Sequence, residues 1–200
     1  MKVALIGAGG KVGRRLVAEL LGRGHQVVGI ARNPPADDSG VPFVLADAND
    51  VDALAAAIRG NDALMVSGRF VSTDAAAILR AMRAAGVARI LVVGGAGTLL
   101  VAPGVQLLDT PDFPEAFRPE VSAGRDFLDA LRGSDADWTF LSPAVSFVPG
   151  ERTGAYRLGG GELMRDDRGD SSISYEDLAK ALVDELEQPR HSRARFSIAY

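Results

Sequence analysis

The first thirteen residues, Met1-Lys2-Val3-Ala4-Leu5-Ile6-Gly7-Ala8-Gly9-Gly10-Lys11-Val12-Gly13, constrain the chain more than any other segment. Val3 to Ile6 is a continuous apolar run, as a parallel strand covered on both faces requires. It passes without a spacer into glycines at positions 7, 10 and 13, and Val12, Leu16, Val17, Leu20 and Leu21 follow at helical spacing. That order supplies a tight turn at Gly7, a backbone open to close approach at Gly10, and a helix that packs down on the strand at Gly13. The N–H groups and positive dipole end of that helix face whatever lies above the strand, and a diphosphate suits such a place. Glycine used for turn geometry alone gives the same triplet, but its position between an apolar strand and a helix favours a ligand.

The alternation continues along the chain. Gln26 to Ala31, Pro42 to Leu45, Ala63 to Val66 and Arg89 to Val93 read as strands. The helices between them are Asp50 to Arg59 and a segment capped by Thr73 or Asp74 that runs to Ala85 and stops at Gly86. Strands alternating with helices of about ten residues specify an α/β protein with a doubly wound parallel sheet and right-handed crossovers. The rhythm breaks after Thr98. Residues 99–118, with Pro103, Gly104, Pro111 and Pro114, read as a long ordered loop, and loops of that length usually cover a site. A helix over Pro119 to Leu131 and a strand over Trp138 to Leu141 follow, then short strands and turns over 144–172. Ser174 caps a helix over Tyr175 to Leu186, and a last strand ends at Tyr200. The expectation is one domain spanning 1–200, with 99–118 and 144–172 forming a small substrate-side region towards the C-terminus.

Composition narrows the chemistry. The chain has no cysteine, which removes disulfides, thiolate catalysis and cysteine metal sites. Its two histidines, His25 and His191, lack metal-ligand spacing, and His25 reads as a structural residue before the second strand. A net charge of −4 and the lack of Lys/Arg runs argue against a nucleic-acid surface. No apolar stretch is long enough to span a membrane, so a cytoplasmic protein with no membrane partner is expected, as a monomer or homodimer.

Ligands of an open parallel sheet bind at the carboxyl ends of the strands. Besides the loop that holds Gly7, Gly9, Gly10, Lys11, Val12 and Gly13, those ends are Ala31-Arg32-Asn33, Ala46-Asp47-Ala48, Ser67-Gly68-Arg69, Gly94-Gly95-Ala96-Gly97-Thr98 and Ser142-Pro143-Ala144. The second strand end is the most diagnostic. A free ribose 2′-hydroxyl is held there by Asp or Glu, whereas a 2′-phosphate calls for a cation, and no carboxylate occurs there before Asp37. Arg32 therefore favours NADP(H) over NAD(H), unless it is a solvated surface residue, and Lys11 could add positive charge nearby. Asp47 either accepts a hydrogen bond from an adenine amino group beside Ala48 or caps the following helix. Small residues at Ser67-Gly68 and Gly94-Gly95-Ala96 leave room for a ribose and a nicotinamide, and Pro143 exposes backbone groups that could orient the carboxamide. Thr98 either hydrogen-bonds a substrate carbonyl or is a satisfied turn hydroxyl. Candidates to shape an acceptor pocket are Thr98, the loop Leu99 to Phe117, Phe147 and Arg69.

The glycine pattern, Ala31-Arg32-Asn33-Pro34, Gly94-Gly95-Ala96-Gly97, Asp137-Trp138-Thr139-Phe140-Leu141-Ser142-Pro143 and Pro149-Gly150-Glu151-Arg152-Thr153-Gly154 together resemble the atypical short-chain dehydrogenase/reductases. Within them the chain is most similar to the NAD(P)H-flavin reductases, relatives of the NmrA-like proteins and of biliverdin reductase B. The resemblance covers nearly the whole chain and implies a Rossmann domain that binds NADP(H), with FMN or FAD as substrate rather than bound cofactor. The chain departs from mainstream short-chain dehydrogenases, which carry a Tyr and a Lys four residues later on the helix after the fifth strand. Here that helix reads Pro119-Glu120-Val121-Ser122-Ala123-Gly124-Arg125-Asp126-Phe127, and Tyr175 and Lys180 are five apart on another helix. Alcohol–ketone chemistry, and sugar epimerase or dehydratase chemistry, lack their usual proton donor. Hydride delivery to a flavin or quinone-like acceptor asks less of the protein, since the acceptor is the electron sink. The alternative is a non-catalytic NADP(H)-binding redox sensor or regulator.

Overall fold

The computed structural model describes residues 1–33 and 40–200; Pro34 and Asp37, which enter the sequence reading, lie outside the described residues. In chain order the elements are β1 (Lys2–Ile6), α1 (Lys11–Gly22), β2 (Gln26–Ala31), β3 (Phe43–Leu45), α2 (Val51–Ile58), β4 (Ala63–Val66), α3 (Ala75–Ala85) and β5 (Arg89–Val93). They continue with β6 (Leu100–Ala102), β7 (Val105–Gln106), α4 (Arg118–Arg132), β8 (Asp137–Ser142), β9 (Ser146–Val148), β10 (Arg157–Gly159), β11 (Ser172–Ser174), α5 (Tyr175–Glu187) and β12 (Ala194–Ala199).

Eight strands form one sheet in the order β10-β12-β8-β5-β4-β1-β2-β3, parallel except where β10 runs against β12. This is the doubly wound, Rossmann-type α/β architecture of a single domain. The apolar runs are continuous because both faces are covered. Val3 and Leu5 of β1 enter the core under α1 and α5, while Ala4 and Ile6 enter the core under α2, α3 and α4. Leu91 and Val93 of β5 face the first core, and Ile90 and Val92 the second. Side chains alternate across a strand, so one run of five supplies both.

The helix starts follow local polar chemistry. Asp50 accepts the N–H groups of Asp52 and Ala53 at the start of α2, Asp74 rather than Thr73 caps α3, and Ser174 accepts Asp177 N–H at the start of α5. Helix α1 differs: its N-cap is Gly10, which has no side chain with which to close the end.

Residues 99–118 are more ordered than a loop. They hold the antiparallel hairpin β6–β7 and two single helical turns, and β6 is bridged to the distant 161–163 segment by Leu100 N–H to Gly161 O at 2.9 Å and Leu163 N–H to Leu100 O at 2.9 Å. Helix α4 begins one residue earlier than expected, at Arg118. The Pro149–Gly154 turn clips onto the start of α5. Asp177, fully buried, accepts Thr153 Oγ1–H (2.6 Å), Gly154 N–H (2.7 Å) and Tyr200 Oη–H (2.9 Å), and Arg152 reaches Glu19 of α1 with two hydrogen bonds. His25 is also structural, held between the N-terminal amine and Glu187.

Candidate functional site

The chain winds from β1 outward to β2 and β3, then crosses back to place β4 on the other side of β1. The gap above β1 and β4 is the switch point at which such sheets bind ligands. The tips are level there: Ile6 pairs with Ile30 of β2 and with Val66 of β4.

Gly7 turns the chain at this point with φ +82°. A Cβ on it would also come within 2.3 Å of the Ser67 carbonyl oxygen, so the loop presses directly against the β4 tip. Gly10 N–H closes the turn on Gly7 O at 3.0 Å. Gly13 lies where a Cβ would sit 2.0 Å from Gly7 O, so α1 rests on the turn itself. Gly9 accepts Arg14 Nε–H through its carbonyl at 3.0 Å. With only glycine at the N-cap, the first-turn N–H groups of α1 are left without a side-chain partner and point outward at the positive end of the helix.

Two cavities flank this loop and meet at Gly68 and Arg69, which belong to both walls. One, of about 370 Å³, is bounded by Ile6, Gly7, the β2 tip Ala31-Arg32-Asn33, the β3 tip Ala46-Asp47-Ala48, and Ser72 and Thr73. Arg32 is exposed here and makes no ion pair or hydrogen bond among the described residues. Asp47 lies in the same wall, its carboxylate accepting Asn49 N–H at 2.9 Å, while Asp50 takes over the capping of α2. The second cavity, of about 280 Å³, has a mostly apolar wall with Phe70, Val93, Val121 and Phe140 beside Ser67, Gly94, Gly95, Gly97 and Thr98. Lys11 and Val12 line this second cavity, whereas Arg32 lines the first.

Sequence reasoning missed much of the second wall. Glu120, Val121 and Gly124 reach it from α4, spaced over one helical turn, and that spacing was the available signal. Phe70 stacks on Phe140 with ring centres 5.9 Å apart. The pair leaves no room for larger neighbours: a Cβ on Gly94 would come within 2.1 Å of Phe140, and one on Gly124 within 2.9 Å of Phe70. The Glu120 carboxylate accepts Phe70 N–H at 2.6 Å and Val71 N–H at 3.4 Å, latching the β4 tip to α4, and Arg69 Nε stands 3.6 Å from it.

Several expected members stand elsewhere. Apart from Thr98 just before them, residues 99–118 do not line either cavity. Phe147 packs edge-on against Tyr175 at 4.5 Å, Phe113 lies under Arg118, and Phe117 is exposed. Pro143 is buried just past the end of β8, outside both walls, and Ala96 opens a single turn behind Gly95. Lys180 bonds Asp184 at 2.7 Å and the Tyr156 hydroxyl at 3.4 Å, and Tyr175 packs on Phe147; none of the three aligns a Tyr-Lys pair on either cavity. No cluster of three or more metal-ligating side chains occurs among the described residues, and no described helix is long and apolar enough to cross a membrane.

The profile of the NAD(P)H-binding family matches residues 7–189, and the chain belongs to that family. Its features place it with the atypical short-chain dehydrogenase/reductase and NmrA-like proteins. It is 45% identical to a Burkholderia pseudomallei protein named as a "putative exported protein", with all of both chains covered and a TM-score of 0.90. It is 39% identical to a "putative epimerase" of Bacteroides thetaiotaomicron, covering 100% of this chain and 96% of that one, TM-score 0.91. A Streptococcus pneumoniae protein named as a "putative NADH-flavin reductase" is 36% identical over 100% of this chain and 99% of its own, TM-score 0.86.

Proposed function

We propose that the protein is an NADP(H)-dependent oxidoreductase that passes a hydride to a flavin or quinone-like acceptor. One observation carries the reading: a cavity edged by Arg32 and Asp47 and a second, aromatic-walled cavity meet at Gly68 and Arg69 along the strand tips, with the uncapped start of α1 between them.

The residues fit a phosphorylated dinucleotide. The cradle formed by Gly7, Gly9, Gly10 and Gly13 admits a diphosphate onto the N–H groups of Lys11 and Val12. Arg32, exposed and without a carboxylate partner among the described residues, is available to grip a 2′-phosphate. Asp47 and Ala48 border the adenine end, and Ser67, Gly68 and Arg69 bridge to the second cavity beside Gly94 and Gly95. When bound, the dinucleotide supplies a hydride. The chain's own part is to orient and to exclude water: Phe70, Phe140 and Val121 present a flat apolar wall, and the glycines let a planar ring approach. Among the described residues no Tyr-Lys pair lines either cavity to give a proton to an alkoxide, which directs the chemistry to acceptors that take their proton from water. The name of the Streptococcus neighbour supports the same acceptor class.

The test is a titration of the purified protein with NADPH and NADH, followed by addition of FMN, FAD or menadione while the reduced-nicotinamide absorbance is recorded. Tighter NADPH binding with turnover is expected. NADPH binding without turnover across the acceptors would leave a redox sensor as the reading and sink the reductase.

A further inference from the structure

Arg195, on β12, stands behind the wall of the apolar cavity. Its Nη1 donates to the main-chain oxygen of Thr98 at 3.0 Å and to Thr98 Oγ1 at 3.2 Å, and its Nη2 donates to Gly161 O at 2.8 Å. All three partners are uncharged oxygens. Nε is buried with no partner among the described residues. Burial, with Arg132 nearby, lowers the guanidinium to a pKa of about 10, against the pull of Glu162, so it is a cation at neutral pH. A half-buried cation held by neutral oxygens, with its Nε–H buried and idle, is a poor device for stability alone.

Its effect on Thr98 is specific. A threonine hydroxyl has one hydrogen to give and two lone pairs to offer. One lone pair faces a cationic donor, so the hydrogen is turned away from Arg195. Among the described residues nothing accepts it. Thr98 is 6% exposed, and the space open to it is the cavity it lines with Gly94, Gly95 and Gly97. A hydroxyl polarised by a guanidinium also donates more strongly than a free one.

We propose that Arg195 is a positioning residue that makes Thr98 a dedicated hydrogen-bond donor to a carbonyl oxygen of the acceptor, which narrows the substrate class to planar rings bearing a ring carbonyl. This rests on the reading that the apolar cavity receives the acceptor. In the balanced reaction a hydride leaves the reduced dinucleotide, the acceptor gains the hydride and one proton from water, and the oxidised dinucleotide departs. The negative charge that arrives with the hydride spreads onto the carbonyl oxygen, where the Thr98 hydroxyl, already aimed and backed by a positive charge, stabilises it without reorganising.

The test uses the full chain with Thr98→Val, Arg195→Gln, Arg195→Lys and the two double variants that combine Thr98→Val with each Arg195 change. Four quantities are read: melting temperature, affinity of FMN and menadione for protein loaded with NADP+, and kcat and KM with NADPH. Thr98→Val and Arg195→Gln are each expected to lower kcat roughly 10- to 100-fold, the range for loss of one polarised donor, with the KM for NADPH within about twofold. In the Thr98→Val background, Arg195→Gln is expected to add nothing to the loss in kcat or acceptor affinity, and Arg195→Lys is expected to retain part of the wild-type rate. Additive losses in the cycle would make Arg195 a pin for the 161–163 segment and overturn the proposal while the reductase reading stands. If Arg195→Gln does not fold, Arg195→Lys with and without Thr98→Val distinguishes the same two outcomes. Wild-type protein that neither binds nor reduces either acceptor would overturn both.

Discussion

Arg32→Ala separates the two dinucleotides. Arg32 is exposed and carries no ion pair among the described residues, so gripping a phosphate breaks nothing inside the protein. A hydrogen bond involving a charged group contributes about 1.5–3 kcal/mol, and exposure to solvent trims that towards about 1–2 kcal/mol here. At about 1.4 kcal/mol per tenfold, NADPH binding should weaken about 5- to 30-fold, while NADH, which has no 2′-phosphate, should change less than about twofold. Calorimetric or fluorescence titration of both cofactors reads the difference directly. The wild-type preference should also shrink between about 0.1 and 1 M salt, as the Debye length falls from about 10 to about 3 Å. Arg32→Asp, which returns a carboxylate to the β2 tip, should push the ratio further towards NADH. Equal weakening of both cofactors by Arg32→Ala would show that the residue shapes the cavity rather than reading the phosphate, and the preference for NADP(H) would fall with it.

Three further outcomes follow from the packing. Gly13→Ala drives a Cβ to 2.0 Å from Gly7 O, backbone that cannot yield, so calorimetry should show about 1–3 kcal/mol of destabilisation together with loss of both NADPH and NADH binding. Gly94→Ala meets the Phe140 ring at 2.1 Å and tilts the Phe70–Phe140 wall; acceptor KM should rise several-fold in steady-state kinetics while Arg32-dependent NADPH selectivity persists. Asp177→Ala strands Thr153, Gly154 and Tyr200 and should cost at least about 3 kcal/mol in chemical denaturation. Burial pushes the Asp177 carboxyl up, but the Thr153, Gly154 and Tyr200 donors outweigh it and hold the pKa below the ordinary value. A lowered carboxyl adds stability above its unfolded pKa of about 3.9 and loses it as pH falls, so wild type should weaken below about pH 4 and Asp177→Asn should show a flatter acid limb.

The strands and helices of the first half are legible because each is stated locally. Lys2–Ile6, Ala63–Val66 and Arg89–Val93 carry unbroken apolar runs, and the caps Asp50 and Asp74, like Ser174 further on, mark where helices begin. The hairpin β6–β7 is not stated locally. Its strands are three and two residues long and are held by the 161–163 segment, far along the chain, so no period marks them. The Pro149–Gly154 motif is similar: its polar residues look like surface until Asp177 draws Thr153 and Gly154 inward.

The same contrast divides the site. The dinucleotide side is built largely from consecutive residues at strand tips, and a tip can be read from its own strand: Gly7 to Gly13, Arg32, Asp47, and Ser67 to Arg69 all border the crevice or its loop. The proposed acceptor side is a meeting of residues far apart in sequence: Phe70 from a turn, Thr98 after β5, Glu120, Val121 and Gly124 from α4, and Phe140 from β8, with Arg195 of β12 behind them. Each alone looks like core, turn or solvated surface. Their shared meaning comes from the sheet order, which sets β8 beside both β5 and β12 and lays α4 over the β4 tip through Glu120. A sequence in which the donor side is local and the acceptor side is topological lets the cofactor class be read early and hides the acceptor. Chemistry on such a scaffold can therefore change by substitutions on α4 and around Thr98 while the glycine loop stays as it is.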